Sequence, residues 1–372
     1  MKAIISLSFS YVLLATLMPC CGQSPQKEEG MVNVEEIKLN SSNYGMMAEE
    51  LVDSISFLKL KETEESFFVA INKAVIYDSM IYVFDKFGKN SLVAFDMQGE
   101  FVTAFGKRGN GENEYVRLWD FDVSDSTVYL YDRTKTRMLC YTPEGRFKKI
   151  LNTPFRAKSF KFLPNGKILF ALDKEDGQSK VYLANQEMSV EHYFFSYGED
   201  DLDDFASDNY FRAYGDTVYY NNAVNDSVYM FSKAGRLVGC YHFDFNGNNV
   251  PDKEKGDFDK LSDDEARFGY IYLNEVPMVT KNYVIGVVTN GGEKGLFLYD
   301  KVSKKGSIKS WKINELRLAD IVLPVYAADD YVVGWMDSSV YEALVDKDTV
   351  PSDLVEHMDN GGRVLIFYHL KS

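Results

Sequence analysis

The chain has 372 residues, is 45% hydrophobic and 15% aromatic, and carries a formal charge of −15. That apolar content is too high for a disordered chain, and a field of that sign repels phosphate backbones, which excludes nucleic acid as a partner. The 25 Tyr and 26 Phe favour strands, because aromatic rings pack well on a pleated surface.

The N-terminus opens on basic Lys2, and residues 4–18 form an apolar run. That run is shorter than the roughly 20 residues a bilayer core needs, and it suits the apolar region of a secretory signal. It ends in Leu17-Met18-Pro19-Cys20-Cys21-Gly22, which resembles a bacterial lipoprotein signal. Pro19 obstructs cleavage before Cys20, so Cys21 is the expected acylation site and Cys20 the alternative. The resemblance implies a signal peptide over 1–20, a tether over 21–50 and a folded body over 51–372. It also implies a lipid anchor that holds the chain to the outer membrane or cell surface of a Gram-negative envelope. The acidic stretch around Gln26-Lys27-Glu28-Glu29 is similar to surface-export signals, or serves as a plain polar tether. In the mature chain only Cys140 and Cys240 remain, which is no disulfide framework; both read as small core residues.

A repeat follows. Leu92-Val93-Ala94-Phe95-Asp96 with Gly99 returns as Met138-Leu139-Cys140-Tyr141-Thr142 with Gly145, and as Val228-Tyr229-Met230-Phe231-Ser232 with Gly235. These glycines lie 46 and then 90 residues apart, a period of about 45 with one unit skipped. Each copy reads as strand, tight turn, strand, the Gly supplying φ > 0 for a type I turn with a G1 bulge. A fainter copy is Leu296-Phe297-Leu298-Tyr299-Asp300 with Gly306.

A second pattern precedes each copy: a short polar turn, then an almost continuous apolar strand. It occurs six times, at 81–85, 128–132, 167–171, 218–220, 283–288 and 331–335. Apolar runs without alternation are buried on both faces, as is each middle strand of a β-propeller blade. The expectation is an all-β, six-bladed propeller with strands A (innermost) to D in each blade. The blades begin near Ser66, Tyr115, Arg156, Tyr210, Gly269 and Ile321. Residues 363–368 return as strand C of the last blade after a loop and a short helix near 340–344. Residues 55–60 supply its missing D strand, which closes the ring and removes open edges. Val34 to Leu39 is a candidate extra strand within the tether.

The chain resembles the six-bladed β-propeller lipoproteins related to NHL-repeat proteins. Four features carry the resemblance: the lipoprotein start, the φ-Tyr-φ-x-Asp strand, the loop Gly106-Lys107-Arg108-Gly109-Asn110-Gly111-Glu112-Asn113-Glu114-Tyr115, and the closing strand after Asn360. Glu112 stands where the family loop has Pro. Members mostly have no known activity, so the resemblance speaks to fold.

Strand order places the long segments 106–115, 195–210, 244–268 and 338–362 on the face of the D-to-A and B-to-C loops. The short glycine turns fall on the opposite face. Long loops on a rigid scaffold are where binding concentrates, so the first face is the expected functional one. There Tyr115, Trp119, Arg133 and Arg137 form a candidate platform for a sugar ring or peptide. Trp119 also suits packing between blades.

Glycines 106, 109 and 111 precede a strand rather than a helix, which argues against a phosphate loop. Asp244-x-Asn246-x-Asn248 offers alternating oxygens suited to calcium, but Asn249 and Lys255 occupy positions where an EF-hand needs Gly and Glu. Calcium is therefore the one candidate cofactor, with an Asx-type turn as the alternative reading. The acidic run Asp200-Asp201-Leu202-Asp203-Asp204 is either solvated or a cation collector. His192, His242, His357 and His369 have no metal-like spacing. The leading functional reading is a non-catalytic envelope lipoprotein that binds a glycan, peptide or protein. The second is a metal-dependent lactonase- or lyase-type propeller with carboxylates converging in its channel.

Overall fold

The computed structural model describes residues 26–27, 32–39, 48–198, 207, 209–255, 257, 261, 269–312 and 315–371. The signal segment with Cys20 and Cys21, and the acidic run 200–204, lie outside the described residues.

Six sheets make up the body. Blade one is Lys73–Tyr77, Met80–Asp85, Ser91–Asp96 and Phe101–Phe105; blade two is Leu118–Ser124, Thr127–Asp132, Arg137–Tyr141 and Phe147–Asn152. Blade three is Ser159–Phe162, Ile168–Ala171, Ser179–Ala184 and Val190–Ser196; blade four is Phe211–Tyr214, Thr217–Tyr220, Ser227–Ser232 and Leu237–Asp244. Blade five has a broken inner strand, Ile271–Leu273 and Met278–Val279, then Tyr283–Asn290, Glu293–Asp300 and Lys305–Ser310. Blade six orders Tyr326–Ala327, Tyr331–Met336, Arg363–Leu370 and Val52–Leu60. In that last pair, Arg363 faces Leu60 and Tyr368 faces Ile55 across 300 residues of chain separation, in an antiparallel ladder.

The middle strands are buried on both faces, Ile81, Tyr82, Val83 and Phe84 in blade one being 0–1% exposed. The core consists mainly of apolar clusters shared by two neighbouring sheets. Leu60, Val83, Phe95 and Trp335 join blades six and one, and Phe243, Phe297 and Val284 join blades four and five. Burial of these facing layers holds the ring together, since no sheet covers both of its own faces. Cys140 and Cys240 are buried free thiols, and burial pushes the Cys140 thiol up to about 11.

The glycine turns behave as the repeat predicts. Gly99, Gly145 and Gly235 have φ of 77°, 83° and 81°, and the strand register shifts beside each at Ala94/Phe95, Cys140/Tyr141 and Met230/Phe231. The fainter fourth copy differs: Gly306 lies inside a strand, and Lys304 takes the positive φ of 56°.

The repeated Asp that ends the second strand is a clamp. Asp85 accepts hydrogen bonds from Val69 N, Gly88 N and Lys89 N at 2.7–2.8 Å. Asp132 does the same for Val116 N at 2.9 Å and Thr134 N at 3.1 Å. In both blades one carboxylate joins the B-to-C turn to the loop entering the inner strand, satisfying backbone donors that no ladder reaches.

Asn33–Lys38 lies parallel to Leu237–Asp244 as a fifth strand on the rim of blade four. Between strands B and C of blade six run two helices. Ser338–Glu342 is capped by Asp337 Oδ1, which accepts from Ser339 N and Val340 N. Ser352–Asp359 follows Pro351 and buries Leu354 and Met358, one turn apart, against the blade five–six cluster.

Candidate functional site

The inner strands are laced to one another around the axis by polar contacts. Lys73 of blade one donates to Asp120 Oδ1 and to the Phe121 carbonyl of blade two, both at 2.7 Å. Asp120 Oδ2 accepts from Ser159 Oγ at 2.5 Å and Phe160 N at 3.1 Å in blade three. Lys161 of blade three reaches back to Asp122 at 2.5 Å. Arg212 of blade four donates through Nε to the Val276 carbonyl, through Nη1 to the Val325 carbonyl and through Nη2 to Glu275 Oε1, all at 3.0 Å. Tyr326 of blade six donates to the Ile76 carbonyl of blade one at 3.3 Å.

These contacts divide the channel. Asn209 donates through Nδ2 to Glu275 Oε2 at 2.5 Å and to the Asn72 carbonyl at 3.2 Å. Together with Arg212 and Glu275 it forms a polar plug across the axis. Glu275 gets there because the inner strand of blade five breaks. Residues 275–277 leave the ladder, Pro277 having no N–H to offer it, and Val276 N bonds the Asn209 carbonyl at 3.2 Å.

A cavity lies on each side of the plug. The larger, about 460 Å³, runs along the inner strands of all six blades and opens on the A-to-B side, past Tyr77, Asp125, Pro164 and Asp216. The long-loop face expected to be functional is therefore not the one onto which the larger of these two opens. It does carry a second cleft of about 290 Å³, flanked by Phe87, Trp311 and Trp335 and edged by Asn72, Asn274, Glu275 and Lys294. Phe87 is 57% exposed. Trp311 Nε1 is buried in the cleft wall with no acceptor among the described residues, whereas a buried indole N–H normally finds one. Asn274 is oriented by its hydrogen bond to Thr289 Oγ1 at 2.9 Å.

The four platform residues read from the sequence line neither cavity. Tyr115 is 4% exposed, donates to the Asn90 carbonyl at 3.0 Å, and burial pushes its phenol up to about 12. Trp119 is half-buried, with Lys86, Arg117 and Arg133 within 5.0–5.3 Å of its ring. Arg133 is also paired with Asp173 at 2.6 Å and Asp176 at 2.7 Å. Arg137 donates to the Glu114 carbonyl at 2.7 Å. Lys86 links the two regions, its ammonium lying 5.4 Å from the Phe87 ring and 5.3 Å from Trp119. Asp244, Asn246 and Asn248 form a turn, Asp244 Oδ1 accepting from Asn246 N at 2.8 Å and Asn248 Nδ2 donating to the Phe245 carbonyl at 3.2 Å.

The channel carboxylates do not converge. Asp120, Asp122 and Glu275 each face a cation, respectively Lys73, Lys161 and Arg212. Among the described residues no group of three or more His, Cys, Asp or Glu is placed to hold a metal. Paired carboxylates of this kind brace a ring; they are poorly suited to sharing or moving a proton.

The family described as "Domain of unknown function (DUF4934)" matches residues 31–360. The chain belongs to the DUF4934 family. Among solved structures, this DUF4934 chain is similar to a protein from Bacteroides fragilis named as exported, at 18% identity and a TM-score of 0.70, over 91% of this chain and 100% of that one. It is also similar to a DUF4221-family member from Bacteroides vulgatus, at 10% identity and a TM-score of 0.52, over 87% of this chain and 98% of that one. Both likenesses speak to the six-bladed propeller fold of DUF4934. No curated relative matches the DUF4934 chain at the sequence level.

Proposed function

We propose that the protein is a lipid-anchored envelope propeller that binds a glycan, without catalysis, in the tryptophan cleft of its D-to-A/B-to-C face. The observation that carries this reading is Trp311 Nε1, a buried donor without an acceptor among the described residues, in a cleft flanked by a second indole and an exposed phenyl ring. A pyranose supplies what such a wall lacks. Its C–H faces cover indole rings, and its hydroxyls accept from Nε1 and bond Asn274, Glu275 and Lys294. At about 290 Å³ the cleft suits one ring. Further rings extend past Phe87 toward Trp119 and Arg133, the aromatic–cation cluster that Lys86 connects to the cleft. A peptide would need a row of backbone partners, and the cleft edge offers side chains instead.

Titration of the protein with a panel of neutral oligosaccharides, followed by tryptophan fluorescence, tests the reading. Saturable quenching is expected, lost in Trp311→Ala and weakened in Trp119→Ala. A panel that leaves the spectrum unchanged, or binding that survives Trp311→Ala, overturns it. Anchoring is tested separately by palmitate labelling: wild type labels and Cys21→Ala does not. Labelling that persists in Cys21→Ala moves the anchor to Cys20, and an unlabelled wild type ends the lipoprotein reading.

A further inference from the structure

The larger axial cavity lies across the plug from the tryptophan cleft and opens on the opposite face. All six inner strands contribute to its wall, with Ile76, Val123, Phe162, Phe211, Met278 and Tyr326 among the lining residues, one apolar residue from each blade. Water beside such a wall is readily displaced by apolar matter. The cations deep in the cavity already have their counter-charges: Lys73 has Asp120, Lys161 has Asp122 and Arg212 has Glu275. At the rim Asp216 is paired with Lys233 at 3.1 Å, and Asp125 stands exposed. An ionic ligand would lose its hydration and gain no unpaired partner at depth.

One polar atom breaks this balance. Asn209 lines the inner end of the cavity and is 3% exposed, and its Oδ1 has no donor among the described residues. The amide orientation is dictated by its neighbours. Both contacts of Nδ2, the Asn72 carbonyl and Glu275 Oε2, are acceptors, so the nitrogen must face them and the oxygen the other way. A buried carbonyl oxygen without a donor is uncommon and costly.

We propose that the axial cavity is a second ligand site, built for a compact neutral molecule with an apolar body and one hydroxyl or amide donor. The body fills the apolar shaft and the donor meets Asn209 Oδ1. The plug keeps this site separate from the glycan cleft, so each is filled without contact with the other's ligand.

Phenol and toluene are the probes, with benzoate as the charged control, followed by saturation-transfer NMR on the full folded chain. Phenol is expected to bind saturably, with toluene about threefold to tenfold weaker because it lacks the donor, and benzoate weaker than phenol. Asn209→Leu should remove the difference between phenol and toluene. Ala213 is exposed and lines the mouth, so Ala213→Trp should abolish phenol binding by filling the entrance. Ala327→Trp does the same from the blade six wall if the first variant is unstable. Trp311→Ala should leave phenol binding unchanged. The proposal is overturned if phenol does not saturate, if binding survives both entrance-filling variants, if benzoate binds better than phenol, or if Trp311→Ala is the variant that abolishes it.

Discussion

Arg212 and Glu275 meet at 3.0 Å, one from blade four and one from the break in the neighbouring blade five. Their side chains are 12% and 13% exposed, and the remaining guanidinium donors hold the carbonyls of Val276 and Val325. One arginine thus ties together blades four, five and six.

Arg212→Met removes the guanidinium that faces the Glu275 carboxylate in a desolvated site, leaving its charge uncompensated by that cation. The expected cost is about 3–5 kcal/mol, the usual penalty for breaking a buried pair from one side. Combining it with Glu275→Leu should recover a large part of that loss, because the uncompensated charge goes too. Urea unfolding midpoints of the two variants decide this, and a double variant no more stable than Arg212→Met contradicts it.

Glycine-to-alanine changes should differ by position rather than by φ alone. At Gly99 an added Cβ would lie 2.0 Å from the Lys59 carbonyl oxygen, which is backbone and cannot swing away. At Gly215, with φ of 56°, nothing lies within 4 Å. Gly215→Ala therefore carries only the left-handed strain of about 1–2 kcal/mol, and Gly99→Ala costs more because the closing strand must shift. Thermal denaturation of the pair should show the larger Tm drop in Gly99→Ala.

Glu62 gives the protein a pH response. Burial raises its carboxyl to about 7, against the opposing pull of Arg363, 3.1 Å away. With the folded value above the unfolded 4.5, the stabilisation is complete at acid pH and is lost as pH rises toward and through about 7. Unfolding free energy should thus fall by an amount on the order of 2 kcal/mol between pH 4.5 and 7.5 from this group. In Glu62→Gln that part of the slope should vanish; an unchanged slope would show that Glu62 titrates normally.

Leu60 is fully buried between the outer strand Val52–Leu60 and blade one. Leu60→Ala should cost about 2–5 kcal/mol in urea unfolding, as core truncations do. Val34, 59% exposed on the added rim strand, should cost under about 0.5 kcal/mol on the same change. Equal losses at the two positions would mean that the rim strand carries as much of the fold as the sixth blade does.

Much of the fold was legible because its signals are local. An unbroken run such as Ile81-Tyr82-Val83-Phe84 announces two-sided burial wherever it falls, and Gly145 announces its own bulge. The site was less legible. Trp119 stood out as an aromatic near arginines on the long-loop face, yet one of the cations over its ring, Arg133, is committed to Asp173 and Asp176. Of the two indoles that flank the cleft, Trp335 read in sequence as part of a buried strand and Trp311 was not singled out. Their only available signal was that two of the chain's three Trp fall in adjacent blades, Trp311 just after the outer strand of blade five and Trp335 in the second strand of blade six.

Residue order by itself determined the count of six sheets, the burial of the second strand in each, the Gly turns and the acidic character of the whole. Each of these depends on neighbours within a few positions, so it is written in the pattern of polar and apolar residues. Only the tertiary structure decided that Glu275 leaves its strand to meet Arg212 and Asn209, closing the axis into two separate cavities. That choice depends on charge and hydrogen-bond partners from three blades arriving at one point, and no local run of residues encodes their meeting.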